Sequence, residues 1–138
     1  MQINTRAARV LGVLAIAGAL AGCEDAIGPG IEVDIGAVVL SVGSQTTVVP
    51  AGGSGSLTLA AGTHDLDVTV RDLDGGALQL GFDYDLVIGT SNQGVARYSA
   101  LTNLGGTLVT APGTATLQVE IRHDGHSHFG EPVSVTVN

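Results

Sequence analysis

The sequence predicts an all-β fold, a single antiparallel sandwich, and three observations carry that prediction. Apolar and polar residues alternate in stretch after stretch of the chain. Turn signals rich in glycine separate those stretches, at spacings of roughly 8–12 residues. No segment beyond the first 22 residues sustains a helical period. The chain has 138 residues, enough for one domain. Hydrophobic residues make up 44% of it, aromatics only 3%, and there is no Trp. The core must therefore be built from Val, Leu, Ile and Ala, the larger of which contribute about 1.5–3 kcal/mol each when buried. Twenty-one glycines suit tight turns and oppose long helices.

The clearest strands show period two. Leu66, Val68 and Val70 alternate with Asp67, Thr69 and Arg71. Leu117, Val119 and Ile121 alternate with Gln118, Glu120 and Arg122, and Val133, Val135 and Val137 with Ser134 and Thr136. Each set turns one face inward. Further candidate strands are 31–34, 37–41, 46–49, 56–60, 78–88, 95–99 and 106–110. The separating turns are 50–53, Ala61-Gly62, Asp74-Gly75-Gly76, Ser91-Asn92, Pro112-Gly113 and Asp124-Gly125.

The N-terminus is of another kind. Arg6 and Arg9 precede an apolar stretch of about a dozen residues, from Val10 to Ala21. That is the length of a signal-peptide apolar region and is short of the roughly 20 residues that span a bilayer. Leu20-Ala21-Gly22-Cys23 follows and resembles the bacterial lipobox, whose Cys is diacylated before cleavage. Cys23 is the only cysteine, so no internal disulfide can form. Thioether acylation would consume a thiol that is otherwise a liability in an oxidising compartment. More than one acyl chain, at about 0.8 kcal/mol per buried CH₂, makes such an anchor stable. The expected organisation is a lipoprotein signal peptide over 1–22, a lipidated Cys23 with a tether over 23–30, and a sandwich over 31–138.

Charge narrows the partners. Both leader arginines are lost on cleavage, leaving Arg71, Arg97 and Arg122 against 13 carboxylates, a formal charge of about −10. Such a chain lacks the basic patches that neutralise phosphate, so nucleic acid is not an expected partner. A peripheral grip on anionic lipid is disfavoured for the same reason. The expected partners are the membrane, through lipid on Cys23, and an unidentified protein or envelope component.

A set of motifs in the body carries a family resemblance. Ala61-Gly62-Thr63, then Leu66, Val68 and Val70, then Asp72 and Asp74-Gly75 open the set. Thr90-Ser91-Asn92 with Val95-Ala96, and Pro112-Gly113-Thr114-Ala115-Thr116-Leu117 with Val119, complete it. In order and spacing these resemble a bacterial immunoglobulin-like domain of the group 2 type, over about 56–121. Leu86-Val87-Ile88 stand where that family usually carries a Trp. The resemblance implies an immunoglobulin-like sandwich serving as an accessory or adhesive module, not an enzyme.

Candidate chemistry gathers near the C-terminus. His123, His126 and His128 fall within six residues, followed by Glu131. Asp124-Gly125 is a two-residue hairpin signal. Parity opposes a plain one: it would pair odd positions with even, yet the apolar positions are odd on both sides. Either the loop holds an odd number of residues or a bulge absorbs one. The expectation is a longer loop over 123–131 with the histidines at its tip. Neutral imidazoles there suit a divalent transition metal, with Asp124 or Glu131 completing the shell and His64 approaching from another strand. The competing expectation is a solvated loop with no cofactor.

Other acidic groups point to less. Asp72 and Asp74 echo the start of a calcium loop, but Gly76, Ala77 and Asp83 fit its later positions poorly, which leaves an acidic turn. Asp65 with Asp67, and Asp83 with Asp85, are expected to share strand faces toward solvent. No nucleophile elbow or phosphate-cradling loop is present. The expected function is a non-catalytic, lipid-anchored envelope module facing the periplasm or cell exterior. The alternatives are a metal-binding protein using His123, His126 and His128, and an adhesin-type domain for carbohydrate or protein. Only Phe82, Tyr84, Tyr98 and Phe129 could stack on a sugar.

Overall fold

A computed structural model describes residues 33–138. The leader, Cys23, the tether and half of the candidate strand 31–34 lie outside the described residues. Val33 and Asp34 precede the first strand. The strands are β1 (Ile35–Val42), β2 (Gln45–Pro50), β3 (Gly55–Leu59), β4 (Gly62–Asp72), β5 (Ala77–Leu78), β6 (Tyr84–Thr90), β7 (Ala96–Thr102), β8 (Gly105–Thr110), β9 (Gly113–His123) and β10 (His126–Val137).

They form two sheets. One runs β2-β1-β4-β8-β7, with β5 paired to the end of β4; the other runs β3-β10-β9-β6. The succession β4-β8-β7 facing β6-β9-β10 is the B-E-D and C-F-G order of immunoglobulin-like sandwiches. The β1–β2 hairpin is an added edge. All pairings are antiparallel except β3 with β10, where Val133 faces Gly55 and Val137 faces Leu59. That parallel pair follows from the connection between β2 and β3, which carries the chain from one sheet to the other.

Alternation builds the core. Val38, Leu40, Val42, Leu66, Val70 and Leu108 point inward from the first sheet, and Leu117, Val119, Ile121, Val133 and Val135 from the second, each at most 1% exposed. Val109, Asp67, Thr69 and Gln118, at intervening positions, are exposed. A one-residue slip of any of these strands would exchange the two sets.

The expected strand over 78–88 is two pieces. Leu78, Leu80 and Phe82 keep the parity of Tyr84, Leu86 and Ile88, which suggested one run. The chain turns instead, with the Tyr84 N–H bonded to Gly81 O at 3.2 Å and the Asn103 side-chain amide donating to Phe82 O. Phe82 is thrown outward and is 97% exposed.

The pairings define two poles. Ile35 at the start of β1 faces Asp72 at the end of β4. Leu86, near the start of β6, donates its N–H to Asn103 O in the β7–β8 turn at 2.7 Å. Tyr84 faces His123 at the end of β9. The start of β1, the β4–β5 and β7–β8 turns, the β5–β6 link and the β9–β10 turn therefore share one pole.

Candidate functional site at the histidine hairpin

The β9–β10 connection is shorter than expected. β9 ends at His123 and β10 begins at His126, so only Asp124 and Gly125 turn the chain. Both have positive φ, 49° and 78°. This is the paired left-handed geometry of a type I′ turn, which Asp-Gly supplies at little cost. The loop over 123–131 does not form. Parity is restored by the other route, a bulge. Ser127 faces Arg122, Phe129 faces Ile121, and His128 is the extra residue between them. The bulge returns Phe129 (5% exposed) and the valines beyond it to the inner face.

The same geometry pulls two histidines off the tip. His123 has the parity of Ile121, so its ring turns toward the sandwich end, and it is half-buried. It stacks on Tyr84, with ring centres 4.5 Å apart and planes 14° from parallel. His128 packs across both, 5.7 Å from His123 and 5.9 Å from Tyr84. His126 is exposed at the first position of β10. The expectation of an exposed tip position therefore fits His126 and not the other two.

His123 Nε2 lies 2.7 Å from Asp83 Oδ2 and 3.7 Å from Asp124 Oδ2. An ionised carboxylate only accepts, so the imidazole donates from Nε2 to Asp83. Asp83 precedes β6 and does not share a strand face with Asp85; it caps the hairpin from the neighbouring element. The Tyr84 phenol sits beneath this cluster. Burial raises its pKa, and the nearby Asp83 and then Asp124 carboxylates raise it further.

Two imidazoles on one tetrahedral zinc have ring centres about 5 Å apart. The 5.7 Å between His123 and His128 approaches that. Of the rest of the expected shell, Asp124 stays beside His123, while Glu131 and His64 are elsewhere. Glu131 accepts the Gly52 N–H in the β2–β3 connection. His64 lies on β4 at the opposite pole, its Nε2 2.9 Å from Ala60 O. No cluster of three or more His, Cys, Asp or Glu suited to a metal ion occurs among the described residues.

The remaining acidic motif is a turn. Asp72 Oδ1 accepts the N–H groups of Asp74 and Gly76 at 2.9 and 2.8 Å, so this carboxylate closes its own loop. The sequence reading missed Asp83 and Tyr84 as partners of His123. Their only signal lies in register, since Tyr84 opens β6 opposite His123, which closes β9.

No family model and no curated protein matches the chain. Among solved structures it is similar to domains 4 and 5 of the S-layer protein SbsC, with a TM-score of 0.39 and 18% identity, covering 68% of this chain. The chain spans 59% of the length of that structure.

Proposed function

We propose that the chain is a lipid-anchored, non-catalytic module of a bacterial cell envelope, displaying an immunoglobulin-like sandwich at the membrane surface. One observation carries this reading: Leu20-Ala21-Gly22-Cys23 closes a short apolar leader, and Cys23 is the sole cysteine. The sandwich starts at Ile35, twelve positions beyond Cys23. A linker of that length spans at most about 40 Å, which keeps the domain close to its membrane. The non-catalytic part rests on the resemblance of residues 56–121 to a bacterial immunoglobulin-like domain of the group 2 type. Labelled palmitate fed to expressing cells tests the anchor. The chain takes up label, and the Cys23→Ala variant takes up none; labelling that survives the substitution contradicts the reading.

The approach of His123 to His128 favours a second reading, a divalent transition-metal site. Zn²⁺ titration by calorimetry tests it. Binding that disappears in the H123A/H128A double variant supports it, and binding that is undetectable or unchanged removes it.

A further inference from the structure

One pole of the sandwich carries large apolar side chains in full view of solvent. Phe82 in the β5–β6 link is 97% exposed, Leu101 near the end of β7 is 73% and Leu73 just past β4 is 71%. Phe82 also lines a shallow cleft of about 270 Å³ with Leu80, Asn103 and Leu104. Leu73 and Phe82 sit on two separate connections and Leu101 near the end of β7, and the antiparallel pairings bring all three to the same pole.

The first strand begins at that pole. Ile35 faces Asp72, the neighbour of Leu73, so the chain coming from Cys23 joins the sandwich beside the exposed leucine. The opposite pole, where β9 starts at Gly113 and β10 ends at Val137, carries only the smaller and less exposed Val109, at 38%, among the exposed large apolar side chains of the described residues.

We propose that the pole bearing Leu73, Phe82 and Leu101 rests on the lipid bilayer that holds Cys23, with Phe82 in the headgroup layer. This rests on the lipid-anchor reading. A bilayer is the occupant that the tether itself supplies. A linker of at most about 40 Å holds the domain near the surface, and the anchor makes insertion an intramolecular event at high effective concentration. Side chains that are too few to bind a membrane from solution suffice to orient a domain already tied to it. The carboxylates Asp72, Asp74, Asp83 and Asp124 lie on or beside the same connections. They repel anionic headgroups and direct the contact toward zwitterionic lipid.

The absence of Trp from the chain makes the test direct. The lipidated full chain carrying F82W is reconstituted into phosphatidylcholine vesicles, and T114W, at the exposed start of β9 on the far pole, serves as comparison. Phe82 is exposed, so the substitution leaves the core untouched. The proposal expects blue-shifted F82W emission, quenching by brominated lipid and protection from aqueous iodide, with T114W showing the reverse on all three. F82W that is open to iodide and unquenched by brominated lipid overturns the proposal. F82W protected from iodide yet unquenched by brominated lipid assigns the patch to the chain's own tether or a second copy, and overturns it equally. Vesicle flotation separates the two readings. A chain that floats with an exposed F82W defeats the docking pole alone, and a chain that fails to float defeats the anchor and the pole together.

Discussion

Deleting His128 should be tolerated, and deleting Gly130 two positions later should not. Register explains the contrast. Removal of His128 leaves Ser127 on Arg122 and Phe129 on Ile121, so the hairpin becomes regular and Phe129, Val133, Val135 and Val137 keep their inner positions. The loss is the tilted packing of one half-buried ring on Tyr84 and His123, about 1 kcal/mol. Removal of Gly130 forces a choice. If the bulge stays, three buried valines turn to water, at a cost of at least about 4 kcal/mol. If the bulge is consumed, His128 replaces Phe129 in the core and Phe129 turns out, which costs about 3 kcal/mol or more. Urea unfolding followed by far-ultraviolet circular dichroism resolves the difference. A gap of about 2 kcal/mol moves the midpoint by about 1 M. Equal destabilisation by the two deletions, or a His128 deletion that fails to fold, would refute the bulge as the device that sets register.

Further outcomes follow from individual contacts. The two tyrosines titrate above the ordinary value of about 10. For Tyr84 the causes are burial, then Asp83 and Asp124; for Tyr98 they are burial, then Asp67. Because the unfolded chain gives up these protons first, their contribution to stability is complete below about pH 10 and is lost as pH rises through the folded values. Tyrosinate absorbance reads both midpoints, and Asp83→Asn moves that of Tyr84 back toward the ordinary value; an unmoved midpoint contradicts the cluster. Gly106→Ala places a methyl against the Ser99 carbonyl oxygen across β7–β8 and costs about 1–3 kcal/mol, read as a lowered thermal midpoint.

Much of the fold was legible because the central strands bury one whole face. Leu66-Val68-Val70, Leu117-Val119-Ile121 and Val133-Val135-Val137 became β4, β9 and β10 with their apolar sets inward. The run over 78–88 misled because its parity continues through a turn, and parity says nothing about a carbonyl captured by Asn103 from 21 residues away. The hairpin was half legible. Asp124-Gly125 announced its turn and the odd apolar positions announced a one-residue mismatch. Whether a bulge or a longer loop absorbs that mismatch depends on packing against Tyr84, which is remote in sequence. The pairing of His123 with Asp83 was hidden for the same reason, since it depends on which strand lies beside β9. The lipobox-like Leu20-Ala21-Gly22-Cys23 is a linear signal that needs no fold, and it lies outside the described residues.

The central claim is that Cys23 is the acylated first residue of the mature protein. Mass spectrometry of the N-terminal peptide from membrane-extracted protein tests it most directly. The account predicts a peptide that begins at Cys23 and carries a diacylglyceryl mass increment. A peptide retaining the leader, or a Cys23 with a free thiol, would contradict it.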